Sequence, residues 1–162
     1  MRFAVRRASP DEFDLLPDIE GRSDLRFAAL DMHFAAGQPT DLASLSRAYA
    51  VFVVGEPIAG FAMTEVVDDC LHLEALHVDL EQQGKGMGSD LLREIFRAEG
   101  KNFASITPVT FADVPWNAPF YARHGFCIVD ELSPALARIR RREVHNGLDQ
   151  LGRRVVMRRE LP

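Results

Sequence analysis

A strand, a glycine-rich turn and a helix follow one another between Leu71 and Gly100, and this stretch limits the possible folds more than any other. From Leu71 to Val78 apolar residues alternate with more polar ones, which is the period-two pattern of a half-buried strand. Ser89 is a favoured N-cap residue, and Gly100 stands where a glycine often ends a helix. The pattern therefore predicts a central strand that turns directly into the N-terminus of a helix.

Three glycines, Gly84, Gly86 and Gly88, leave the backbone amides of this turn uncovered by side chains. Exposed amides at the positive end of a helix bind anions, most naturally a phosphate or a diphosphate. A tight connection without a ligand is the alternative interpretation of an isolated glycine motif. The spacing excludes a P-loop, because Lys85 lies between the glycines. It also excludes the dinucleotide fingerprint, because Leu91 occupies the position of the third glycine.

Seven strands are predicted along the chain, and their order indicates the fold class. Three successive strands joined by short turns precede the glycine turn, whereas helices separate the strands of a doubly wound sheet. The strand after the central helix is expected to run parallel to the central strand, with Pro108 marking a bulge or a sheet edge. We therefore predict one α+β (mixed α/β) domain over residues 1–162. The predicted strands span residues 2–7, 49–54, 58–67, 71–78, 103–111, 127–129 and 153–161.

Helical segments are predicted on both sides of these strands. Ser9 and Pro10 begin the first one, and Pro17 is expected to kink or split it. Residues 25–36 form a second helix or an irregular arm, which we expect to be the wall of a substrate pocket. Asn117 and Ser133 begin later helices.

Composition indicates a globular protein with one core. The chain has 162 residues, of which 47% are hydrophobic, and no uncharged run is long enough to span a bilayer. No signal peptide is apparent, so we expect a cytoplasmic protein. The net charge of −5 argues against general nucleic-acid binding, and the acidic residues before residue 138 suit a cationic amine substrate. Cys70 and Cys127 are expected to be free thiols, and no metal-ligand spacing is present.

Two separated motifs resemble those of the GNAT superfamily of acetyltransferases. The segment 83–88, QGKGMG, is similar to the Q/R-x-x-G-x-G/A loop that binds the diphosphate of acyl-CoA. The segment 117–126, NAPFYARHGF, is similar to the tyrosine-bearing helix, and PWNAPFY resembles one bacterial subgroup whose substrate is unassigned. The sequence departs from the family pattern at Asp79, where many relatives have proline, and at Val114, where many have asparagine.

The resemblance extends over the order of elements in the whole chain. It implies a mostly antiparallel central sheet with a parallel, splayed pair and helices on both faces. It also implies that acetyl-CoA is the cosubstrate, that no metal takes part, and that a small-molecule or peptide amine attacks the thioester directly in a ternary complex. A homodimer is compatible with the resemblance, whereas nucleic-acid and membrane partners are not expected.

Catalytic and binding residues can be named from the two motifs and the central strand. Tyr121 matches the tyrosine that protonates the departing thiolate, and a phenol with an ordinary pKa near 10 is protonated at neutral pH. Glu74 is the candidate base, directly or through a water, with His72 on the same strand face as the alternative. The expected acetyl-CoA-binding residues are Leu76, His77, Val78, Gln83, Gly84, Lys85, Gly86, Met87, Gly88, Ser89 and Asn117.

Structural roles are the alternative for each catalytic candidate, since a tyrosine can pack under a sheet and strand residues can be surface groups. Two further functions also stay open at this point. One is a non-catalytic acyl-CoA-binding module that senses the cosubstrate. The other is a different nucleotide-dependent enzyme that holds another diphosphate at the glycine turn.

Overall fold

The computed structural model describes residues 2–33 and 40–162. Residues 34–36 of the predicted arm therefore lie outside the described residues. None of the helices formed by the described residues is long and apolar enough to cross a membrane. The strands are β1 (Val5–Arg7), β2 (Ala50–Val54), β3 (Gly60–Val67), β4 (Cys70–Val78), β5 (Ser105–Phe111), β6 (Cys127–Val129) and β7 (Arg154–Glu160). The α-helices are α1 (Leu16–Asp24), α2 (Leu42–Arg47), α3 (Met87–Glu99), α4 (Ala118–Arg123) and α5 (Pro134–His145), with 3-10 segments at Pro10–Leu15, Leu25–Leu30, Leu80–Gln82 and Leu148–Gln150.

The strands pair in the order β1-β2-β3-β4-β5-β7-β6. The pairs β1–β2, β2–β3, β5–β7 and β6–β7 are antiparallel, and β4–β5 is parallel. The predicted fold class, a mixed α/β structure with a mostly antiparallel sheet, one parallel pair and flanking helices, is confirmed. The chain also clusters into two compact units, one formed by Met1–Glu65 with Glu74–Glu99 and the other by Val66–Leu73 with Gly100–Pro162.

The first unit has helices on both sides of its strands. Alternate residues of a strand point to opposite faces, so Val51 and Val53 share one face of β2. They join a buried cluster with residues of α1 and α2, while α3 contacts β1 and β2. The buried members of this cluster are Leu16, Ile19, Leu45, Val51, Val53, Phe61, Met63 and Ala75.

The first helical segment begins and divides where the sequence predicts. The Ser9 amide donates to Glu12 Oε2 at 2.9 Å, and Pro10 is the first residue of the 3-10 segment. The segment then changes to the α-helix α1, which begins at Leu16 with Pro17 as its second residue. A proline lacks the N–H that an α-helix interior requires, which explains the change at this point.

Asp90 fixes the beginning of the chain to α3. Its side chain is fully buried, and its Oδ2 atom accepts hydrogen bonds from the backbone amides of Arg2 at 2.9 Å and Phe3 at 2.7 Å. The guanidinium of Arg93 donates to Oδ1 at 2.8 Å. Burial alone would raise the pKa of Asp90, but these hydrogen bonds outweigh it and hold the pKa below its ordinary value. The carboxylate is therefore buried in its charged form.

In the second unit, β5 lies between β4 and β7. Its parallel pairing with β4 covers three residue pairs, from Leu71 with Ile106 to Leu73 with Pro108. Its antiparallel pairing with β7 joins Ile106 to Arg159 and Val109 to Val156, in one register on both sides of Pro108. The constant register with β7 shows no bulge, whereas the predicted edge at Pro108 is confirmed on the β4 side, where the parallel pairing ends at this residue. The proline is tolerated inside the sheet because the parallel pairing ends at it, so that its missing N–H interrupts no further bond on that side.

We predict that Asp90→Asn destabilises the fold by about 2–4 kcal/mol, because an amide cannot replace a buried carboxylate that accepts three hydrogen bonds. Urea unfolding at pH 7 measures the change. The matched control is Asp14→Asn, since Asp14 is exposed and its substitution should change the free energy of unfolding by less than about 0.5 kcal/mol. Equal stability of the two variants would contradict a structural role for Asp90.

Candidate functional site

The glycine turn forms the start of α3. The helix begins at Met87, and the amide of Asp90 donates to the carbonyl of Gly86 at 3.0 Å. The prediction that Ser89 is the N-cap is therefore wrong, because Ser89 already lies in the first helical turn. The capping rules favoured serine on its side-chain oxygen, whereas here a glycine backbone occupies the position before the helix. The first amides of a helix, here beginning with those of Met87 and Gly88, have no carbonyl four residues before them in the helix to which they can donate.

Gly84 and Gly86 hold backbone conformations that favour glycine, with φ of +78° and +100°. Both are exposed, and a Cβ atom placed on either would meet open space. The open space over these residues leaves room for a ligand to approach the backbone. Lys85 between them is exposed, and its Nζ atom donates to Gln82 Oε1 at 3.0 Å. The turn therefore joins a positive helix end to a lysine, which suits an anion.

Gln83, the first residue of the QGKGMG motif, uses its side chain inside the protein. Its Nε2 atom donates to the carbonyls of Val78 at 2.8 Å and Ser23 at 3.4 Å. Its Oε1 atom accepts from Arg26 Nη1 at 3.3 Å. The side chain thus joins the glycine turn to the end of β4, where the predicted backbone ligands Leu76, His77 and Val78 lie.

His77 lies between two acidic residues of α1. Its Nε2 atom is 3.3 Å from Glu20 Oε1, and its Nδ1 atom is 3.7 Å from Asp24 Oδ1. Burial lowers the pKa of His77, but the hydrogen bond and charge of Glu20 together with the charge of Asp24 outweigh it, and the pKa is raised. The imidazole is therefore favoured in its charged form at this position.

The two acids respond in opposite directions to the same surroundings. Burial raises the pKa of Asp24 to about 6. The charge of His77 opposes this shift, and the charge of Glu20 adds to it. Burial also acts to raise the pKa of Glu20, but the hydrogen bond and charge of His77 and the amide of Thr40 lower it below its ordinary value. Sequence reasoning missed these acids. Their i,i+4 spacing was an available signal, since two like charges on one helical face destabilise a helix unless a cation faces them.

Tyr121 lies in α4 of the second unit and is 8% exposed. Its ring packs edge-on against Phe120 and Phe126, with both centroid distances 5.3 Å. Burial raises its pKa above the ordinary value near 10, although the charge of Arg154 opposes the shift. Within residues 2–33 and 40–162 the phenol oxygen makes no hydrogen bond to protein. The phenol is therefore a protonated, buried donor.

The candidate bases His72 and Glu74 differ in burial. His72 is 2% exposed, and its Nδ1 atom lies 3.1 Å from the hydroxyl of Thr107 on the neighbouring strand. The alternative in which His72 is a surface group on the solvent side of the strand is therefore wrong. Glu74 is exposed, and its carboxylate lies within 4.8 Å of that of Glu65 on β3. Glu74 is thus the more accessible candidate.

Asn117 precedes α4, and its side chain has a partner inside the protein. The hydroxyl of Thr110 on β5 donates to Asn117 Oδ1 at 2.7 Å. The amide of Tyr121 donates to the carbonyl of Asn117 at 3.1 Å. Asn117 therefore links β5 to the helix that carries Tyr121, and its predicted contact with acetyl-CoA stays a prediction.

Comparison with known proteins places these features in a family. Residues 47–128, which include β4, the glycine turn, α3 and Tyr121, match the model of the acetyltransferase (GNAT) domain. The chain belongs to the GNAT acetyltransferase family. That assignment agrees with the resemblance seen in the sequence, while the narrower bacterial subgroup stays a prediction.

Solved structures share the GNAT fold over nearly the whole chain. A GNAT-family acetyltransferase from Staphylococcus aureus Mu50 has a TM-score of 0.74 at 14% identity, over 99% of both chains. The PaiA N-acetyltransferase from Thermoplasma acidophilum, solved in complex with coenzyme A, has a TM-score of 0.70 at 14% identity, again over 99% of both chains. The ribosomal-protein-S18-alanine N-acetyltransferase from Escherichia coli has a TM-score of 0.67 at 18% identity, over 98% of this chain and 94% of that one.

We predict that Asp24→Asn stabilises this GNAT protein at pH 8 by up to about 3 kcal/mol. This free energy corresponds to the rise of about two units in the pKa of Asp24 on folding. The folded pKa of about 6 lies above the ordinary value of 3.8, so the wild type loses stability as pH rises between these values. The gain should shrink on acidification and vanish below about pH 4. Urea unfolding of both proteins from pH 4 to 8 measures it, and a gain that does not change with pH would contradict the assignment.

Proposed function

We propose that this protein is an acetyl-CoA-dependent N-acetyltransferase that acts on a small-molecule or peptide amine. The observation that carries the proposal is the glycine turn at the start of α3 in a chain of the GNAT family. Two GNAT structures with similar folds support it, since one was solved with coenzyme A and the other is named for transfer to the alanine of a ribosomal protein.

The glycine turn fits the diphosphate of acetyl-CoA. The amides from Gly84 to Ser89 would bind it, since the open space over Gly84 and Gly86 lets an anion approach the backbone. Lys85 adds a positive charge at the exposed side of the turn. In the sheet β4 is the neighbour of β3, and the backbone of Leu76 to Val78 would bind the pantetheine arm as an added strand does.

Acetyl transfer forms a bond from the amine nitrogen to the acyl carbon and breaks the bond from that carbon to sulfur. The amine must lose a proton, and the departing thiolate must gain one. We assign the first task to Glu74, directly or through a water, with His72 as the alternative. Tyr121 then donates its proton to the sulfur and regains one from solvent. Its raised pKa keeps the phenol protonated between turnovers, so that the donor is always present.

The acidic groups of the first unit favour a cationic acceptor. Glu65 and Glu74 lie close together on β3 and β4. An ammonium group is attracted to such a surface before it is deprotonated. Release of free thiol from acetyl-CoA, measured with a panel containing a peptide N-terminus, a lysine side chain and a small diamine, tests the function.

The alternative function is a non-catalytic acyl-CoA-binding module. It is favoured by the burial of Tyr121, because a phenol with a raised pKa is a weaker acid. Coenzyme A binding without thiol release from any amine of the panel would support this alternative. Thermal stabilisation by ATP or NAD instead of coenzyme A would contradict both functions, since only a ligand of the native state raises its stability.

We predict that Tyr121→Phe lowers kcat by about 100-fold while the Kd for acetyl-CoA changes by less than about threefold, because only a proton donor is lost. Steady-state kinetics and calorimetry measure the two quantities. The matched control is Tyr49→Phe, which removes the phenol that donates to Glu99 and should leave kcat unchanged. Parallel losses of binding and turnover in Tyr121→Phe would mean that the phenol is structural.

We predict that Gly86→Glu weakens coenzyme A binding at least about tenfold more than Gly86→Gln. Both side chains have the same length and face the same strain at φ of +100°, so that the comparison isolates the negative charge. Isothermal titration with coenzyme A at low and high salt measures the difference, which should narrow as salt screens the charge. Equal affinities of the two variants would place the diphosphate elsewhere.

A further inference from the structure

Three residues at and just after the end of β4 make polar contacts with residues 16–30, which are here named the α1 arm. His77 lies between Glu20 and Asp24, as described above. Arg22 Nε donates to Asp79 Oδ2 at 2.5 Å. Gln83 is the third of these residues, and it adjoins the glycine turn. Residues 25–30 of the α1 arm belong to the segment 25–36 that the sequence predicts as the wall of a substrate pocket.

The side chain of Gln83 has no donor left for a ligand. A primary amide has two N–H donors and one carbonyl acceptor. Both donors are used, because Nε2 binds the carbonyls of Val78 and Ser23, and Oε1 accepts from Arg26. Although Gln83 opens the motif expected to bind acetyl-CoA, its side chain therefore acts between protein segments.

The contacts of Gln83 differ in length. The bond to Val78 is 2.8 Å, within the common range, whereas the contacts with Ser23 and Arg26 are 3.4 Å and 3.3 Å. Gln83 is thus firmly anchored to the end of β4 and weakly bound to the α1 arm. Because hydrogen bonds at this length are sensitive to small displacements, ordering of the adjacent turn can strengthen or weaken them.

We propose that Gln83 is a positioning residue that couples occupancy of the glycine turn to the order of the α1 arm. The inference rests on the proposed function, since it takes coenzyme A as the ligand of the turn. Binding at residues 84–88 fixes the backbone next to Gln83, and the anchored amide then holds Ser23 and Arg26. The contacts of His77 and Asp79 keep the arm folded when Gln83 is replaced, so that a variant loses the coupling and not the fold.

Hydrogen exchange with and without saturating coenzyme A tests the coupling in wild type, Gln83→Met and Gln82→Met. Methionine matches the length of glutamine and removes its hydrogen bonds. Gln82 is the matched control, because it is the adjacent residue at the end of the 3-10 segment Leu80–Gln82, and its side chain accepts a hydrogen bond from the exposed Lys85 and not from the α1 arm within the described residues. In wild type and Gln82→Met, coenzyme A should slow exchange at least about threefold in both the turn and the α1 arm.

In Gln83→Met, coenzyme A should still slow exchange in the turn, and its effect on the α1 arm should disappear. A merely structural role would speed exchange in the arm by the same factor with and without coenzyme A, which would overturn the coupling. If coenzyme A did not slow hydrogen exchange in the α1 arm of the wild type, the coupling would be overturned and the proposed function would stay intact. Absence of coenzyme A binding to wild type, measured by calorimetry, would overturn both.

Discussion

Whether the helix amides at the glycine turn are accessible to a ligand depends on which groups one buried carboxylate binds. An acid in the first turn of a helix often caps the amides of that helix, where the dipole favours negative charge. Asp90 instead binds the backbone of Arg2 and Phe3 and the side chain of Arg93. The first amides of α3 are consequently not covered by the nearest acid of their own helix. A ligand anion at the turn therefore meets the positive helix end without competition from Asp90.

The sequence predicts the order of elements because each depends on local physics. Strand alternation, proline near a helix start and glycine at a turn act within a few residues, and all seven strands form near their predicted positions. The N-cap of α3 differs by three residues, because the capping rule favours the side chain of Ser89, whereas the backbone of Gly86 occupies the position before the helix. The glycine motif around Gly86 could also be interpreted from the sequence, because a positive φ is a requirement of the local backbone.

Features set by distant residues could not be predicted in this way. His72 is buried and lies within hydrogen-bond distance of Thr107 on a neighbouring strand, and alternation within one strand cannot show which neighbour covers a face. The cluster of His77 with Glu20 and Asp24 joins positions more than fifty residues apart. The role of Gln83 is similar, because its partner Ser23 lies sixty residues away. The sequence therefore indicates the family and the glycine turn, while the surroundings of that turn depend on tertiary contacts.

The contacts of Asp90 also have a consequence for how freely the chain can diverge. Its partners at positions 2 and 3 are backbone amides, and every residue type except proline supplies one. This contact therefore allows almost any residue type at these two positions, whereas position 90 requires a carboxylate. A proline at position 3 would remove one of the backbone N–H groups that donate to the buried carboxylate of Asp90. Relatives that share this anchor should vary in the side chains at positions 2 and 3 and still exclude proline there.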